Sequence, residues 1–349
     1  MTQSLTDTMH FAAPPAPGQW AEVAPDLLWA KIPLPFQLDH VNVYAIRGAA
    51  AWTLVDTGID DERTRGLWVQ LIGDLAGRVD RLVVTHAHPD HVGLAGWLCA
   101  EFGLELMMAR DEYLSLRSLL EAPDPELRAQ REAELAELGF VGDERAALLG
   151  HGNTARRFIC RPPGGMVRLQ DGDRLEIGRY RFELCVFGGH SVELVTLLDA
   201  AAGIFLSADQ VLARISPNIS LPYFEPHADP LAEFLASLQV LAQRLTPGML
   251  VLPGHGLPFR QAGNRIAALL AHHRDRLEAV RLECQAGALS LPDILPLIFD
   301  RALSLEQLPF AAGEARAHIN WLVHAGQLVE VRQGHIRAWH AARADQPPA

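Results

Sequence analysis

Residues 85–91 read Thr-His-Ala-His-Pro-Asp-His, directly after the apolar run Arg81-Leu82-Val83-Val84. The run predicts a strand, so three imidazoles and a carboxylate fall at one strand end and the start of the next helix. A core has no use for imidazoles at that density. Neutral imidazoles and carboxylates are donors for Zn²⁺ and related divalent metals. One such cluster supplies only part of a site, so further donors must come from elsewhere. The candidates are His190 in "FGGHSVE", Asp209 in "FLSADQV" and His255 in "LPGHG", each at the end of a predicted strand.

Strands alternating with amphipathic helices over the first 110 residues indicate a layered α/β domain. The pattern predicts strands in "LLWAKIPLPF", "VNVYAIRG" and "AAAWTLVDTG", a helix in "DDERTRGLWVQLIGDLAG", a single helix over "HVGLAGWLCAEFG" and a strand in "LELMMA". Residues 111–158 are charged and helical with a break at "APDP", and read as a helical insertion on the α/β core. Strand signals return from 171 to 208, with a hairpin at Gly178, and again in "GMLVLPGHG". A long helix is expected from about Gln261 to Gln285. Beyond it, two helices and a hairpin turning at Gly334 suggest a winged-helix-like module. Residues 1–24 are expected to form a loose arm. His272 and His273 are expected at a helix surface, and His227 in a solvated loop.

The order HxHxDH, then a lone His, a lone Asp and a final His resembles the metallo-β-lactamase-fold hydrolases. "VDTG" at 55–58 and "PGHG" at 253–256 match that superfamily too, and the resemblance spans about residues 25–260. It implies an α/β fold, an αβ/βα sandwich with metals at the edge between two sheets, followed here by the small C-terminal domain at 261–349. It implies two divalent metal ions per chain, zinc first and iron or manganese as alternatives. His86, His88 and His190 would hold one ion, and Asp90, His91 and His255 the other. Asp209 would bridge them, with a metal-bridging hydroxide as nucleophile and Asp90 as a candidate proton shuttle. One motif departs from the family: Gly189-His190-Ser191-Val192-Glu193 stands where many members have Gly-His-Thr/Ser-Pro-Gly. Glu193 reads either as a polar residue at a strand entrance or as a carboxylate orienting a ligand histidine.

The metal centre implies hydrolysis and little about substrate, because the fold hosts many chemistries. The loop after Asp209, "QVLARISPNISLPYF", offers Arg214, Asn218, Tyr223 and Phe224 as substrate contacts. An arginine there grips an anionic group, or else pairs with a surface acid. The helical insertion is either a lid over the same mouth or a packing decoration. The tail resembles the appendage of one branch of the family, which includes lactamase-β-like endoribonucleases and fungal polyketide thioesterases. Glyoxalase II is a further relative with its own helical C-terminal domain.

Charge bears on partners. The chain has 30 basic against 42 acidic residues, a net charge of −12. From 274 to 345 eight arginines face nine acids. Phosphate neutralisation needs clustered positive charge, so nucleic acid is not an expected partner. The first expectation is therefore a small-molecule substrate, a thioester or ester of the acyl-CoA or acyl-glutathione type. An endoribonuclease on single-stranded RNA is the alternative, and a non-catalytic regulatory member of the fold the second. No apolar run approaches a membrane span, and the N-terminus lacks a signal-peptide pattern. Four scattered cysteines read as free thiols of a reducing cytoplasm. A homodimer is left open, with the C-terminal module as its packing surface.

Overall fold

The computed structural model describes residues 10–36, 38–121 and 124–342. In chain order the elements are β1 (Ala21–Ala24), β2 (Leu27–Pro33), β3 (His40–Arg47), β4 (Ala51–Val55), α1 (Glu62–Asp74), β5 (Arg78–Val83), α2 (Pro89–Val92), α3 (Ala95–Phe102), β6 (Glu105–Ala109) and α4 (Arg110–Leu120). There follow α5 (Pro125–Glu137), α6 (Gly142–Arg156), β7 (Val167–Leu169), β8 (Arg174–Ile177), β9 (Tyr180–Phe187), β10 (Leu194–Asp199), β11 (Ile204–Ala208), α7 (Pro230–Arg244) and β12 (Leu250–Pro253). The last are α8 (Ala262–Ala286), β13 (Leu289–Ser290), α9 (Leu291–Ile298), α10 (Leu308–His324), β14 (Leu328–Gln333) and β15 (Ile336–Ala341). The chain divides into two compact units, the first made of residues 1–121, 155–217 and 241–266, the second of the remainder.

The first unit contains a seven-stranded sheet, β1 to β7 in sequence order, and a five-stranded sheet ordered β12-β11-β10-β9-β8. Strands β1 to β4 pair antiparallel, and β4 to β7 run parallel. Side chains alternate between the faces of a strand with period two. Thus Trp29, Tyr44, Val55 and Val83 pack with Phe182, Leu184, Leu197, Leu206 and Leu252 of the second sheet. Their neighbours Ala30, Val43, Leu54 and Leu82 face the opposite way, in a cluster with Trp68, Leu71 and Leu98 of α1 and α3. Strand β3, buried from His40 to Ile46, is covered on both faces. Parallel pairing of β4 to β7 brings the C-terminal ends of four strands to one edge, where the histidine cluster begins.

Several expectations need correction. The helix expected over "HVGLAGWLCAEFG" is two helices, α2 and α3. The Leu94 N–H leaves the helical ladder to meet Gly58 O at 3.1 Å and Thr57 Oγ1 at 3.0 Å. Gly93 permits the break, because a Cβ there would lie 2.3 Å from Pro89 O and 2.4 Å from Phe158 O. The arm is not loose from His10 onward. His10 N donates to Pro258 O, Phe11 packs at a tilt against Trp29, and Trp20 Nε1 donates to Leu71 O. Strand β1 extends the sheet within that segment. Residues 1–9 of the arm, and Ala122-Pro123 of the "APDP" break, lie outside the described residues. All four cysteines are free.

The second unit contains α5, α9, α10, most of α6, α7 and α8, and a three-stranded sheet ordered β13-β15-β14. Helices α5 and α6 of the insertion thus group with the C-terminal elements, while α4 stays in the first unit. Helix α9 begins with a capping box between Ser290 and Asp293. Charge pairs join Glu134 to Arg316 at 2.9 Å and Glu137 to Arg332 at 3.0 Å. Contrary to expectation, His273 is fully buried, while His272 is half-buried. His273 shares one helix face with Leu269, Leu277, Val280 and Cys284, the buried stripe of α8. Its Nδ1 lies 3.2 Å from His318 Nε2, and His318 Nδ1 donates to Glu314 O at 2.8 Å. His227 is exposed as expected.

Burial, reinforced by His318, His272 and Arg276, lowers the His273 imidazole to about 2. Burial also lowers His318 to about 4 against the opposing Glu314 carbonyl. Both rings are neutral in the folded protein at pH values where the unfolded chain, titrating near 6.5, takes up protons. Their contribution to stability is therefore complete above pH 6.5 and is lost as pH falls below it, at up to about 1.4 kcal/mol per pH unit for each ring. Thermal melting between pH 7 and 4 should fall more steeply in wild type than in His273→Leu. Parallel curves would show that His273 does not titrate on unfolding.

Candidate metal centre

Seven donors from five segments of the first unit meet at the sheet edge. His86 and His88 lie on the turn after β5, and Asp90 and His91 on α2. His190 lies on the β9–β10 loop, Asp209 after β11 and His255 after β12. Three groups of donor atoms fall within 4.8 Å of one another: His86/His88/His190, His86/His91/Asp209 and Asp90/His91/His255. The structure thus brings together all seven residues singled out in the sequence. Most are buried, and the Asp90 side chain, 19% exposed, reaches the solvent.

Three of the rings are aimed by a partner behind them. Asp56, at the end of β4, accepts His91 Nδ1–H at 2.7 Å, Thr85 N–H at 2.8 Å and Thr85 Oγ1–H at 2.9 Å. A carboxylate can only accept here, so His91 carries its proton on Nδ1 and turns Nε2 toward Asp209. His255 Nδ1 donates to His40 O at 2.7 Å, which turns its Nε2 toward Asp90 and Asp209, 3.2 and 3.3 Å away. His86 Nδ1 meets Thr85 Oγ1, and its Nε2 stands 3.0 Å from His88 Nδ1. Asn42 holds the "PGHG" loop, donating to Pro253 O and Gly256 O through Nδ2 while its Oδ1 accepts from Trp29. The loop approaches so closely that a Cβ on Gly254 would lie 2.1 Å from Asp209 Oδ1 and 2.8 Å from His91 Cε1. Asp56 and Ala208, next to this cluster, both adopt positive φ, at 59° and 45°. Such backbone is uncommon outside glycine and persists only where its surroundings impose it.

The cluster has two electrostatic halves. Burial and neighbouring imidazoles hold His86 well below its usual range and take His88 to about 3, so these rings are neutral, the ligating form. In the other half burial would also lower His91 and His255. The carboxylates outweigh it: Asp209, Asp56 and Asp90 raise His91 well above its usual range, and Asp209 and Asp90 take His255 to about 10. Asp90 and Asp209 remain ionised despite burial, because His91 and His255 oppose it. The potential in this half strongly favours cations.

The donor set fits divalent metal. His91 Nε2 and Asp209 Oδ1 are buried without a hydrogen bond, 3.5 Å apart, a cost that a coordinated cation removes. A fourth group, His273/Glu314/His318, also has converging donors. There Arg276 and Asn218 already bond the Glu314 carboxylate, and His318 is bonded through both nitrogens. That group is a closed structural network.

The remaining candidates fall in different places. Arg214 belongs to the first unit, is exposed and makes no ion pair among the described residues. Its loop is held by Arg265, which donates to Leu212 O at 2.7 Å and Ile215 O at 2.6 Å. Asn218, Tyr223 and Phe224 belong to the second unit. Asn218 donates to Phe310 O and Glu314, Tyr223 lies under the Arg131 guanidinium, and Phe224 packs edge-on against Tyr223. Glu193 accepts from Asp111 N at 2.8 Å. Sequence reading missed Glu112, buried between the ligand loops. Its one signal was an acid in the first turn of a helix, which is commonplace.

A two-sheet α/β fold with His/Asp clusters that could hold divalent metal at the sheet edge is an arrangement typical of metal-dependent hydrolases. Residues 37–255 match the metallo-beta-lactamase superfamily, and residues 277–340 match the metallo-beta-lactamase-like C-terminal domain. The chain belongs to the metallo-beta-lactamase superfamily. A beta-lactamase domain protein from Burkholderia ambifaria is 37% identical, with a TM-score of 0.88 over 96% of this chain and 98% of its own. A metallo-beta-lactamase family protein from Thermus thermophilus is 26% identical, with a TM-score of 0.78 over 92% of this chain and 100% of its own. A metallo beta lactamase from Erythrobacter litoralis shares the fold at 15% identity, with a TM-score of 0.51 over 72% of this chain and 95% of its own. No curated protein is matched. Among the described residues no helix is long and apolar enough to cross a membrane.

Gly254→Ala tests the close approach of the "PGHG" loop. The new Cβ should displace Asp209 or His255 and lower metal affinity by about ten- to hundredfold, the usual effect of disturbing a ligand's support. Chelator-competition titration would read it, with circular dichroism to verify the fold. Unchanged affinity would mean that the loop yields without moving a donor.

Proposed function

We propose that this chain is a dinuclear metal hydrolase of a small thioester or ester, of the acyl-CoA or acyl-glutathione type. The observation that carries the hydrolase reading is the convergence of seven donors, with His91 Nε2 and Asp209 Oδ1 buried and lacking hydrogen bonds between the two halves. His86, His88 and His190 would hold one ion, zinc in the first instance, and Asp90, His91 and His255 the second, with Asp209 shared. Metal bound there supplies a Lewis acid for the scissile carbonyl and lowers the pKa of water. Asp90, with its partly exposed carboxylate, is the group placed to pass a proton between the site and solvent. Asp56 and the His40 carbonyl keep two rings in one tautomer throughout. The complete donor set argues against a non-catalytic member of the fold. Four free thiols support a cytoplasmic location.

Arg214 supports an anionic substrate. It is an exposed guanidinium without an ion pair among the described residues, on a loop that begins at Asp209 and is fixed by Arg265. Gripping a remote anionic group there would position the scissile bond at the metals. A second exposed guanidinium, Arg168, borders a groove of about 360 Å³ with Phe187, Val192 and Glu193, beside the His190 loop. The net charge of −12 supports a small substrate over RNA.

Metal-supplemented protein should carry about two ions per chain, and Asp209→Ala should lose metal and turnover together. A value near zero for wild type would end the hydrolase reading. In a screen of acyl-CoA, acyl-glutathione, lactone, phosphodiester and short RNA, thioester cleavage should dominate. Arg214→Ala should then raise KM about ten- to hundredfold with metal content intact, the loss of one charge-assisted hydrogen bond of about 1.5–3 kcal/mol. An equal effect confined to Arg168→Ala would move the anion seat to the groove. RNA cleavage with a steep salt dependence and no thioesterase activity would overturn the substrate assignment.

A further inference from the structure

Three donors converge on the carboxylate of Glu112, which is 1% exposed. Its Oε2 accepts the Ala87 N–H at 2.7 Å, between the ligands His86 and His88. Its Oε1 accepts the Glu193 N–H at 2.8 Å and the hydroxyl of Ser191, the residue after His190. One carboxylate thus ties together the two loops that bring the three imidazoles of one half-site. In return, Glu193 reaches back to the helix that carries Glu112. Its Oε2 accepts the Asp111 N–H in the first turn of α4 at 2.8 Å. The residue before that turn, Ala109, offers no capping side chain. Glu193, through which the exchange runs, is one of the positions at which this chain departs from the Gly-His-Thr/Ser-Pro-Gly pattern, with Val192-Glu193 in place of Pro-Gly.

Resting on the metal reading above, we propose that Glu112, clamped by Glu193, is a positioning residue that sets the affinity of the His86/His88/His190 half-site separately from the other half. The other half is held by Asp56 behind His91 and the His40 carbonyl behind His255; Asp56 also reaches His86 through Thr85, but Glu112 bonds only the loops of the first half. A carboxylate is required because three donors point at two oxygens. Glutamine keeps the volume but offers one oxygen, and its amide N–H₂ would face an N–H or O–H donor. A buried donor left unmet is costly, so the loops would shift to recover partners. Separation of the two ligand loops is the coordinate that such a shift changes.

The test is a stepwise titration of the full-length, metal-free protein with Co²⁺, followed by absorption and by metal analysis after dialysis at graded chelator. His190→Ala, which deletes a ligand of this half, identifies which step belongs to it. Glu112→Gln should weaken that step about ten- to hundredfold and move the other by less than about threefold. Glu193→Gly should weaken the same step by a smaller factor, because Glu112 keeps its three donors. If Glu112→Gln does not fold, judged by circular dichroism and melting, Ser191→Ala removes a single donor and should shift the same step alone. Equal weakening of both steps, or no change in either, would overturn the clamp. Wild type that binds no metal would instead overturn the metal reading on which the clamp rests.

Discussion

The His91 ring between Asp56 and Asp209 is the interaction on which the rest depends. Asp56 is a strand-end carboxylate that accepts from the ring behind and from both donors of Thr85. It therefore fixes the tautomer of one ligand and the start of the histidine turn at once. Thr57 adds a second tie, donating its hydroxyl to His91 O at 2.8 Å while Trp68 Nε1 bonds Thr57 O. The break between α2 and α3, the tight packing at Gly93 and the buried stripe of α1 all keep this arrangement in place. The parallel order β4-β5-β6 is what brings Asp56, His86 and Glu112 to the same edge.

The electrostatics follow from that geometry. In one half His86 and His88 stay neutral, because a charged ring there would lose its water and repel the neighbouring imidazoles. Three carboxylates around His91 in the other half produce the opposite sign of shift. A site divided in this way presents a neutral nitrogen pocket and an anionic oxygen-rich pocket that share Asp209. The supports differ as well: Glu112 lies under one half, while Asp56 holds His91 in the other and reaches His86 through Thr85. The two carboxylates play matching roles, each accepting from backbone and side chain next to ligand residues.

Two buried histidine clusters among the described residues differ in what their polar atoms do. In the second unit, Glu314 and His318 spend their polar atoms on protein partners. At the sheet edge, His91 Nε2 and Asp209 Oδ1 do not. Residue types alone would rank the two groups alike. What separates them is where the hydrogen bonds go, which decides between a structural network and a cation site.

The candidate metal donors were legible in the residues, because strand signals followed by His or Asp place a donor at a strand end whatever the final packing. The layered α/β class was legible for the same reason, since period-two and helical patterns are local. His273 was not: the apolar stripe of α8 that makes it a core position becomes decisive only once α10 supplies His318 as a partner. Glu112 looked like an ordinary first-turn acid until folding brought Ala87 and Ser191 to it, the latter from 79 residues away. His40 lends its carbonyl to His255 across 215 residues, through an atom that every residue carries and that no motif can reveal. Sequence determined which atoms can bind metal, because donor chemistry belongs to the side chain. Tertiary structure alone decided which of those atoms are left for it, because their competing hydrogen bonds come from distant segments.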